Sequence, residues 1–553
     1  MIHRLARLPL AVLLTVAALG CTPPADDQAR TFTILQVNDL YRIEGLEAGT
    51  VGGMARLRSL RRQLEAENPV LMLHAGDALF PSVMSKYFSG EPMVDILNRL
   101  DGSAQGFDPN LLLTFGNHEF DGDLDVLEAR LRQSEFRWVT SNIYFKPPPD
   151  GQPMAFNSLF PNVHHTVVLN LGGLRVGVFG LTVNSAEREY LHYDYASGPG
   201  DRSVRNATVR SALAALRDRS PDVVIALTHQ GLTEDIQLAQ DFPEIDLIVG
   251  GHDHVAQREE VDGTLITKAD ADARTAWVIE VTADESGTIR TDAELRVVDD
   301  SIAPDADVQQ AVEGWMAELE RQVPGFRDVV GETEHLLGGE EHLIRTRETA
   351  MGNWLADIVR QDLETDIALI HGGAVRINEN IPAGSDLRVE HLEGIFYYDD
   401  QVVAFERSGQ QLLDMLNNSV SRVDAGDGRF LQVSGLEFAY RPQPAEGERQ
   451  VETDWVRVRR KGSEAFAPLD LEATYTVATL RHLWANGARY GYEGLAADVV
   501  VDGSPGTSPT LLPTPRPAPR QWRALTEAWL RRNERVTTGL EGRIVRLDPG
   551  TAP

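Results

Sequence analysis

The sequence predicts an α/β domain followed by an α+β domain, on three observations. The chain has 553 residues, more than a single hydrophobic core usually organises. Short apolar runs of strand character alternate with helix-like stretches through its first half. That alternation weakens after about Val298, and a second mixed region begins near Val330.

Strands are expected at Thr31–Val37, Val70–His74, Leu111–Phe115, Leu174–Leu181, Val223–Thr228 and Ile245–Val249. Met54–Glu67 and Leu124–Arg132 lie between them and carry apolar residues at helical spacing. Val308–Gln322 reads as one helix and marks the interdomain connection. Beyond it, helices are expected at Thr349–Asp362, Gly409–Ser421 and Gln521–Asn533, with strands at Ile367–Ile370, Val402–Phe405 and Leu436–Tyr440. The expected boundaries are 31–297 for the first domain, 298–330 for the linker helix and 331–547 for the second domain. Within the latter, residues 504–520 hold six prolines among Ser and Thr, a composition that favours extended chain and reads as a surface insertion.

The N-terminus has the layout of an export signal: Arg4 and Arg7, an apolar run Leu8–Leu19, then Gly20 before Cys21. Cys21 is the only cysteine, so no disulfide can form within the chain. Residues 1–20 resemble a bacterial lipoprotein signal, with Ala18 where Leu is usual and 21–30 as a tether. The alternative is an ordinary cleaved signal with a spare cysteine. The expected location is the bacterial cell envelope, as a periplasmic or outer-membrane lipoprotein whose only membrane contact is its lipid. A formal charge of -31 disfavours a nucleic-acid polymer as partner but allows a small anionic substrate beside bound cations.

Residues of metal-binding type follow the strands: Asn38-Asp39-Leu40-Tyr41, Gly76-Asp77, Gly116-Asn117-His118-Glu119, His229, and Gly250-Gly251-His252-Asp253-His254. Ligands gather at that edge of α/β sheets. Any one of these alone reads more readily as a turn residue or a core histidine.

Together and in this order, the five resemble the calcineurin-like metallophosphoesterase superfamily, and within it the two-domain 5'-nucleotidase family, over nearly all of the chain after the tether. The resemblance implies an αββα sandwich for the first domain and a substrate-binding second domain. It also implies two metal ions, with Asp39 on the first, Asp77 bridging, Asn117, His229 and His252 on the second, and His254 returning to the first. His118 matches the family's catalytic histidine, and Asp121 would hold its ring. Glu119 is open between a structural and a functional reading. Two cations bridged by a carboxylate can deprotonate water near neutral pH and clamp the attacking and leaving oxygens of an in-line displacement. Oxygen and imidazole donors suit two divalent or mixed-valence ions of Zn, Mn, Fe or Co.

One position departs from the pattern: the usual Asp-x-His reads Asp39-Leu40-Tyr41. Tyr41 is then a spacer, a phenolate ligand that favours ferric iron, or a hydrogen-bonding partner of the substrate.

In the second region, Arg345-Thr-Arg-Glu348-Thr-Ala-Met351-Gly352-Asn353 and His371-Gly372-Gly373-Ala374-Val375-Arg376 resemble the nucleotidase C-terminal domain. The resemblance implies that Arg345 and Arg376 grip the substrate, a task that suits the planar guanidinium fork. His371 replaces the usual Asn. Tyr398, and Trp484 or Tyr490, match the regions that supply the family's base-stacking rings, though these aromatics read equally as core.

The leading expectation is an exported dinuclear-metal phosphoesterase, 5'-nucleotidase-like, hydrolysing nucleoside monophosphates or related small esters by in-line attack of a metal-bound hydroxide. A cyclic-nucleotide phosphodiesterase or nucleotide-sugar pyrophosphatase would share the metal residues and differ in the second-domain pocket. A catalytically silent binding protein is the alternative of another class.

Overall fold

Apolar runs too short for a helix become strands here, and their order places the polar residues that follow them. The computed structural model describes residues 30–102, 106–184, 188–194, 202–284, 286–442, 450–492, 511–512 and 521–547. The expected signal, Cys21 and all of the proline-rich stretch except 511–512 lie outside them.

In chain order the first domain contains β1 (Arg30–Val37), β2 (Val70–His74), β3 (Leu111–Thr114), β4 (Arg137–Val139) and β5 (Ile143–Phe145). There follow β6 (Val163–His164), β7 (Thr166–Leu171), β8 (Leu174–Thr182), β9 (Leu191–Tyr193), β10 (Val223–His229) and β11 (Leu247–Gly250). Then come β12 (Gln257–Val261), β13 (Thr264–Lys268), β14 (Thr275–Ala283) and β15 (Ile289–Val297). One sheet runs β15-β14-β1-β2-β3-β4-β6 and a second runs β12-β13-β11-β10-β8-β7. Strands β1 to β4 are parallel, as are β8, β10, β11 and β13.

The two sheets pack face to face over Phe32, Ile34, Leu71, Leu73, Val176 and Val178, all buried. Each such side chain contributes about 1.5–3 kcal/mol by leaving water. Helices cover the outer faces. Met54–Glu65 and Ala306–Gln322 pack on the first sheet through Leu57, Leu60, Val308 and Val312. Arg202–Arg217 and Leu232–Asp241 cover the second through Val209, Leu213 and Leu238. The layering is therefore αββα.

Each strand expected in this domain is present, with ends shifted by at most two residues. The helix expected to reach Glu67 stops at Glu65, because Pro69 disfavours helical backbone just ahead of it. The β14–β15 hairpin was not expected, since β15 carries Arg290, Asp292, Glu294 and Arg296 along a largely exposed edge and shows no apolar run. The linker helix Ala306–Gln322 joins the first-domain core and is capped by Asp305, which accepts from the backbone N–H of Asp307 and Val308.

The second domain centres on a four-stranded sheet in the order Val402–Ser408, Thr474–Leu480, Ile367–His371, Leu431–Ser434. Ala350–Leu363 and Trp522–Asn533 pack on one face through Trp354, Leu355, Trp522 and Leu530. Gly409–Val420 packs on the other through Leu412 and Leu416. Thr349 caps the Ala350 helix by accepting from Gly352 N–H. Asn353 Nδ2 donates to Glu348 Oε1 (2.6 Å) and to Gly539 O (2.9 Å), so the Glu348–Asn353 motif ties down the C-terminal segment.

Candidate metal centre and anion site between the domains

The parallel registers bring six strand ends to one edge: Val37 pairs with His74, His74 with Leu113, His229 with Thr182 and Thr228 with Gly250. Gln36 fastens the two sheets beneath that edge, donating to Thr267 O (2.9 Å) and Gly250 O (3.1 Å). The loops leaving the strands then turn sharply. Asp39, Asp77, His252 and His254 have φ of 51°, 57°, 81° and 61°, a region that non-glycine residues seldom adopt and that concentrates at functional sites.

Two glycines make the close approach possible. A Cβ on Gly76 would lie 2.5 Å from His229 Nδ1, and one on Gly116 would lie 2.0 Å from Asp77 Oδ1. The buried Glu119 carboxylate staples these loops by accepting from the backbone N–H of Asp77 (2.9 Å), Ala78 (2.6 Å), Leu79 (3.0 Å) and Gly116. This places Glu119 in a structural position.

Behind the histidine loops stands Lys268, 1% exposed, whose ammonium reaches Asp235 (2.9 Å), Asp253 (2.8 Å) and the Gly251 carbonyl (2.8 Å) and also donates to Gln230 O. It joins the loop after His229 to the loop carrying His252 and His254.

Asp39, Asp77 and His229 are 0%, 1% and 0% exposed and offer donor atoms within 4.8 Å of one another, a buried group able to hold a metal ion. Around Asp77 Oδ2 the donors fall into two sets. On one side, Tyr41 Oη lies 3.2 Å from Asp77 Oδ2, 3.2 Å from Asp39 Oδ1 and 3.1 Å from His254 Nε2, which is itself 3.1 Å from Asp39 Oδ1. On the other, His229 Nε2 lies 3.2 Å from Asp77 Oδ2, 3.2 Å from Asn117 Oδ1 and 3.3 Å from His252 Nδ1. Bonds of about 2.0–2.2 Å to one cation would separate neighbouring donors by roughly 3.0–3.6 Å, so both sets have the spacing of a coordination shell. Asp77 Oδ2 is common to both.

The negative charge of the carboxylates suits a cation here. His229 Nδ1 faces the Ala75 carbonyl at 2.7 Å, which leaves Nε2 toward the donors. Burial alone would raise the Asp77 carboxyl, but the charges of His229 and His118 and the hydrogen bond from His229 together outweigh it and hold the group at about 2. Burial alone would lower His229, and Asp77 and Asp39 push it up to about 9, so the ring keeps a proton that a bound cation has to displace. The carboxylates thus stay ionised, as cation binding requires.

His118 sits beside this centre. Its Nδ1 is 2.8 Å from Asp121 Oδ2, and its backbone N–H donates to Asp77 Oδ1 (2.9 Å). Burial would lower the imidazole, but Asp77 and Asp121 raise it above its usual value. Tyr398, from the second domain, donates to the same Asp121 oxygen (3.3 Å). Its ring packs edge-on against Tyr397 at 4.8 Å.

The second domain closes over the centre. Arg345 Nη2 (2.8 Å) and Arg376 Nη1 (2.9 Å) converge on Glu341 Oε1, while the Nε of each arginine is buried without a hydrogen-bond partner. Such orphaned donors beside a metal-type centre fit an incoming anion. Glu341 carried no sequence signal: it lies four residues before Arg345, in a stretch where a surface Glu would be unremarkable. His371 stacks with His482 (6.2 Å, 23°) and Tyr490 (6.5 Å, 30°), and its Nδ1 is buried without a partner. Trp484 packs against the hydrophobic cluster of Leu412 and Leu416 under Arg481. The structure therefore groups Tyr490 with His371 and places Tyr398 with Asp121.

Comparison with known proteins agrees with this layout. The family model for calcineurin-like phosphoesterases matches residues 32–256, and that for the 5'-nucleotidase C-terminal domain matches residues 329–494. The chain is 26% identical over 506 residues to the trifunctional nucleotide phosphoesterase protein YfkN of Bacillus subtilis, covering 84% of this chain and 32% of that longer one. It is 25% identical over 533 residues to human 5'-nucleotidase, covering 88% of each. Among solved structures, the 5'-nucleotidase precursor of Thermus thermophilus superposes with a TM-score of 0.75 at 25% identity, covering 94% of this chain and 99% of that one. The sulfate thiohydrolase SoxB of a Thermus shares the fold, with a TM-score of 0.68 at 19% identity over 96% of this chain and 98% of that one.

Proposed function

We propose a substrate and a mechanism for this chain, which belongs to the calcineurin-like phosphoesterases with a 5'-nucleotidase C-terminal domain and is a phosphoester hydrolase. The substrate is a nucleoside monophosphate or a similar small phosphate ester, hydrolysed at a centre of two metal ions. The observation that carries this reading is the pair of four-donor sets sharing Asp77 Oδ2.

Asp39, Tyr41, Asp77 and His254 would hold the first ion, and Asp77, Asn117, His229 and His252 the second. When bound, such a pair neutralises the phosphoryl oxygens and activates a water for in-line attack. Zn, Mn, Fe and Co all suit these donors. His118, oriented by Asp121, presents Nε2 to the reacting phosphoryl group, where a proton held there stabilises charge and passes to the departing alkoxide. Arg345 and Arg376 bring their free Nε donors to the phosphate. The ring cluster of His371, His482 and Tyr490 offers a face on which a base can stack. A nucleotide phosphodiester is the second reading, favoured by Glu341, which already neutralises one of the two arginine charges.

The apolar leader ending at Cys21 supports export and lipid anchoring at the cell envelope. Among the described residues no helix is long and apolar enough to cross a membrane.

The test is turnover on AMP, cyclic nucleotides, UDP-sugars and aryl phosphates, with Mn, Zn, Co or Fe supplied. Asp77→Ala and His118→Ala should each lower turnover by about three orders of magnitude or more. Wild-type turnover no better than that of these variants on every substrate would refute the reading.

A further inference from the structure

The two donor sets differ in what supports them. Asp77, Asn117, His229 and His252 all rest on first-domain elements: Ala75 O faces His229, Lys268 holds the His252 loop, and Glu119 holds the Asp77 turn. The set of Asp39, Tyr41 and His254 is braced from the second domain. His254 Nδ1 lies 2.5 Å from Glu341 Oε2 as an ion-pair contact, and neither atom makes a hydrogen bond among the described residues. Glu341 is 2% exposed, so water does not replace that contact.

A second path runs parallel to the first. The backbone N–H of Glu341 donates to Asn378 Oδ1 (3.1 Å), Asn378 Nδ2 donates to Asp272 Oδ2 (2.7 Å), and Asp272 Oδ1 accepts from the backbone N–H of Tyr41 (3.0 Å). Asp272 N–H in turn donates to Asp39 O (2.9 Å). Every donor of this set other than the shared Asp77 is therefore within two links of Glu341 or Asn378. The other oxygen of Glu341 is held by Arg345 and Arg376, the pair assigned above to the substrate's phosphate.

We propose that Glu341 is a positioning residue that joins the arginine pair to the first-metal donors: it holds the proton of His254 on Nδ1, keeps Nε2 directed at the metal, and makes half of the metal centre depend on closure of the second domain. A carboxylate behind a ligating imidazole fixes its tautomer and raises its basicity. Here that carboxylate comes from the domain that carries the anion-gripping arginines, so the first metal is held fully only when the two domains meet. The inference rests on the two-metal reading.

The experiment is calorimetric titration of Mn²⁺ into metal-free full-length protein, for wild type, Glu341→Ala and Glu341→Gln, with urea unfolding of each metal-free protein alongside. Wild type should bind two ions. Glu341→Ala should weaken one of the two sites by about 10- to 100-fold and leave the other within about twofold. Glu341→Gln, whose amide oxygen can still accept from Nδ1–H, should recover most of the lost affinity. Two unchanged sites in Glu341→Ala would overturn the inference while leaving the dinuclear centre standing, as would equal weakening of both sites. A wild type that takes up fewer than two ions would count against the two-metal reading itself.

Discussion

Tyr41 is the residue on which the chemistry of the first donor set turns. Its hydroxyl carries one hydrogen yet lies 3.1–3.2 Å from three donor atoms, two of them carboxylate oxygens, so it cannot satisfy all of them as a hydrogen-bond donor. Burial and the charges of Asp77 and Asp39 hold the phenol well above its usual value, and a bound cation is the natural agent to reverse that. If Tyr41 ligates ferric iron, the natively purified protein should show a visible charge-transfer band that Tyr41→Phe abolishes. A colourless protein with both sites metallated would exclude a ferric phenolate. The donor residues were legible in the sequence because each follows a short apolar strand, and the strand fixes where the next residue points. Glu341 was not legible, because its meaning depends on three partners, His254, Arg345 and Arg376, that only the tertiary fold assembles. The contact of the Tyr398 hydroxyl with Asp121 carried no sequence signal either, since it too joins the two domains.

At the scale of elements, the histidine loops are only as well placed as the strands and side chains behind them. Lys268 ends β13 and, itself buried, gathers Asp235, Asp253 and the Gly251 carbonyl. Removing one partner of a buried ion pair leaves uncompensated charge, at a cost of about 3–5 kcal/mol. Lys268→Met should therefore lose about that much stability in urea unfolding and weaken the site that contains His229 and His252. A variant as stable as wild type would show that the ammonium is not holding these loops. Strands with an apolar run on both faces, such as β1 and β2, were evident from composition. The edge strand β15 was not, because its charged residues face solvent and its partner β14 supplies the register.

The whole molecule is a candidate metal centre at the edge of one domain with a pair of arginines set over it by another. Contacts away from the centre hold that arrangement: Lys86 pairs with Glu393 (3.1 Å), Arg42 with Glu379 (3.4 Å), and Arg274 donates to Asn378 O (2.8 Å). The two-domain plan could be read from chain length and the change of pattern near Val298, whereas the closed interface could not, since its polar pairs are ordinary surface residues in either domain alone. If Asp77 is shared by two ions that both serve hydrolysis, the metal content of natively purified protein, wild type beside Asp77→Ala, will show it. The wild type should hold two transition-metal ions per chain, and the variant should lose the bound pair together with turnover. Full phosphoesterase turnover from a wild-type protein holding one ion or none would contradict this.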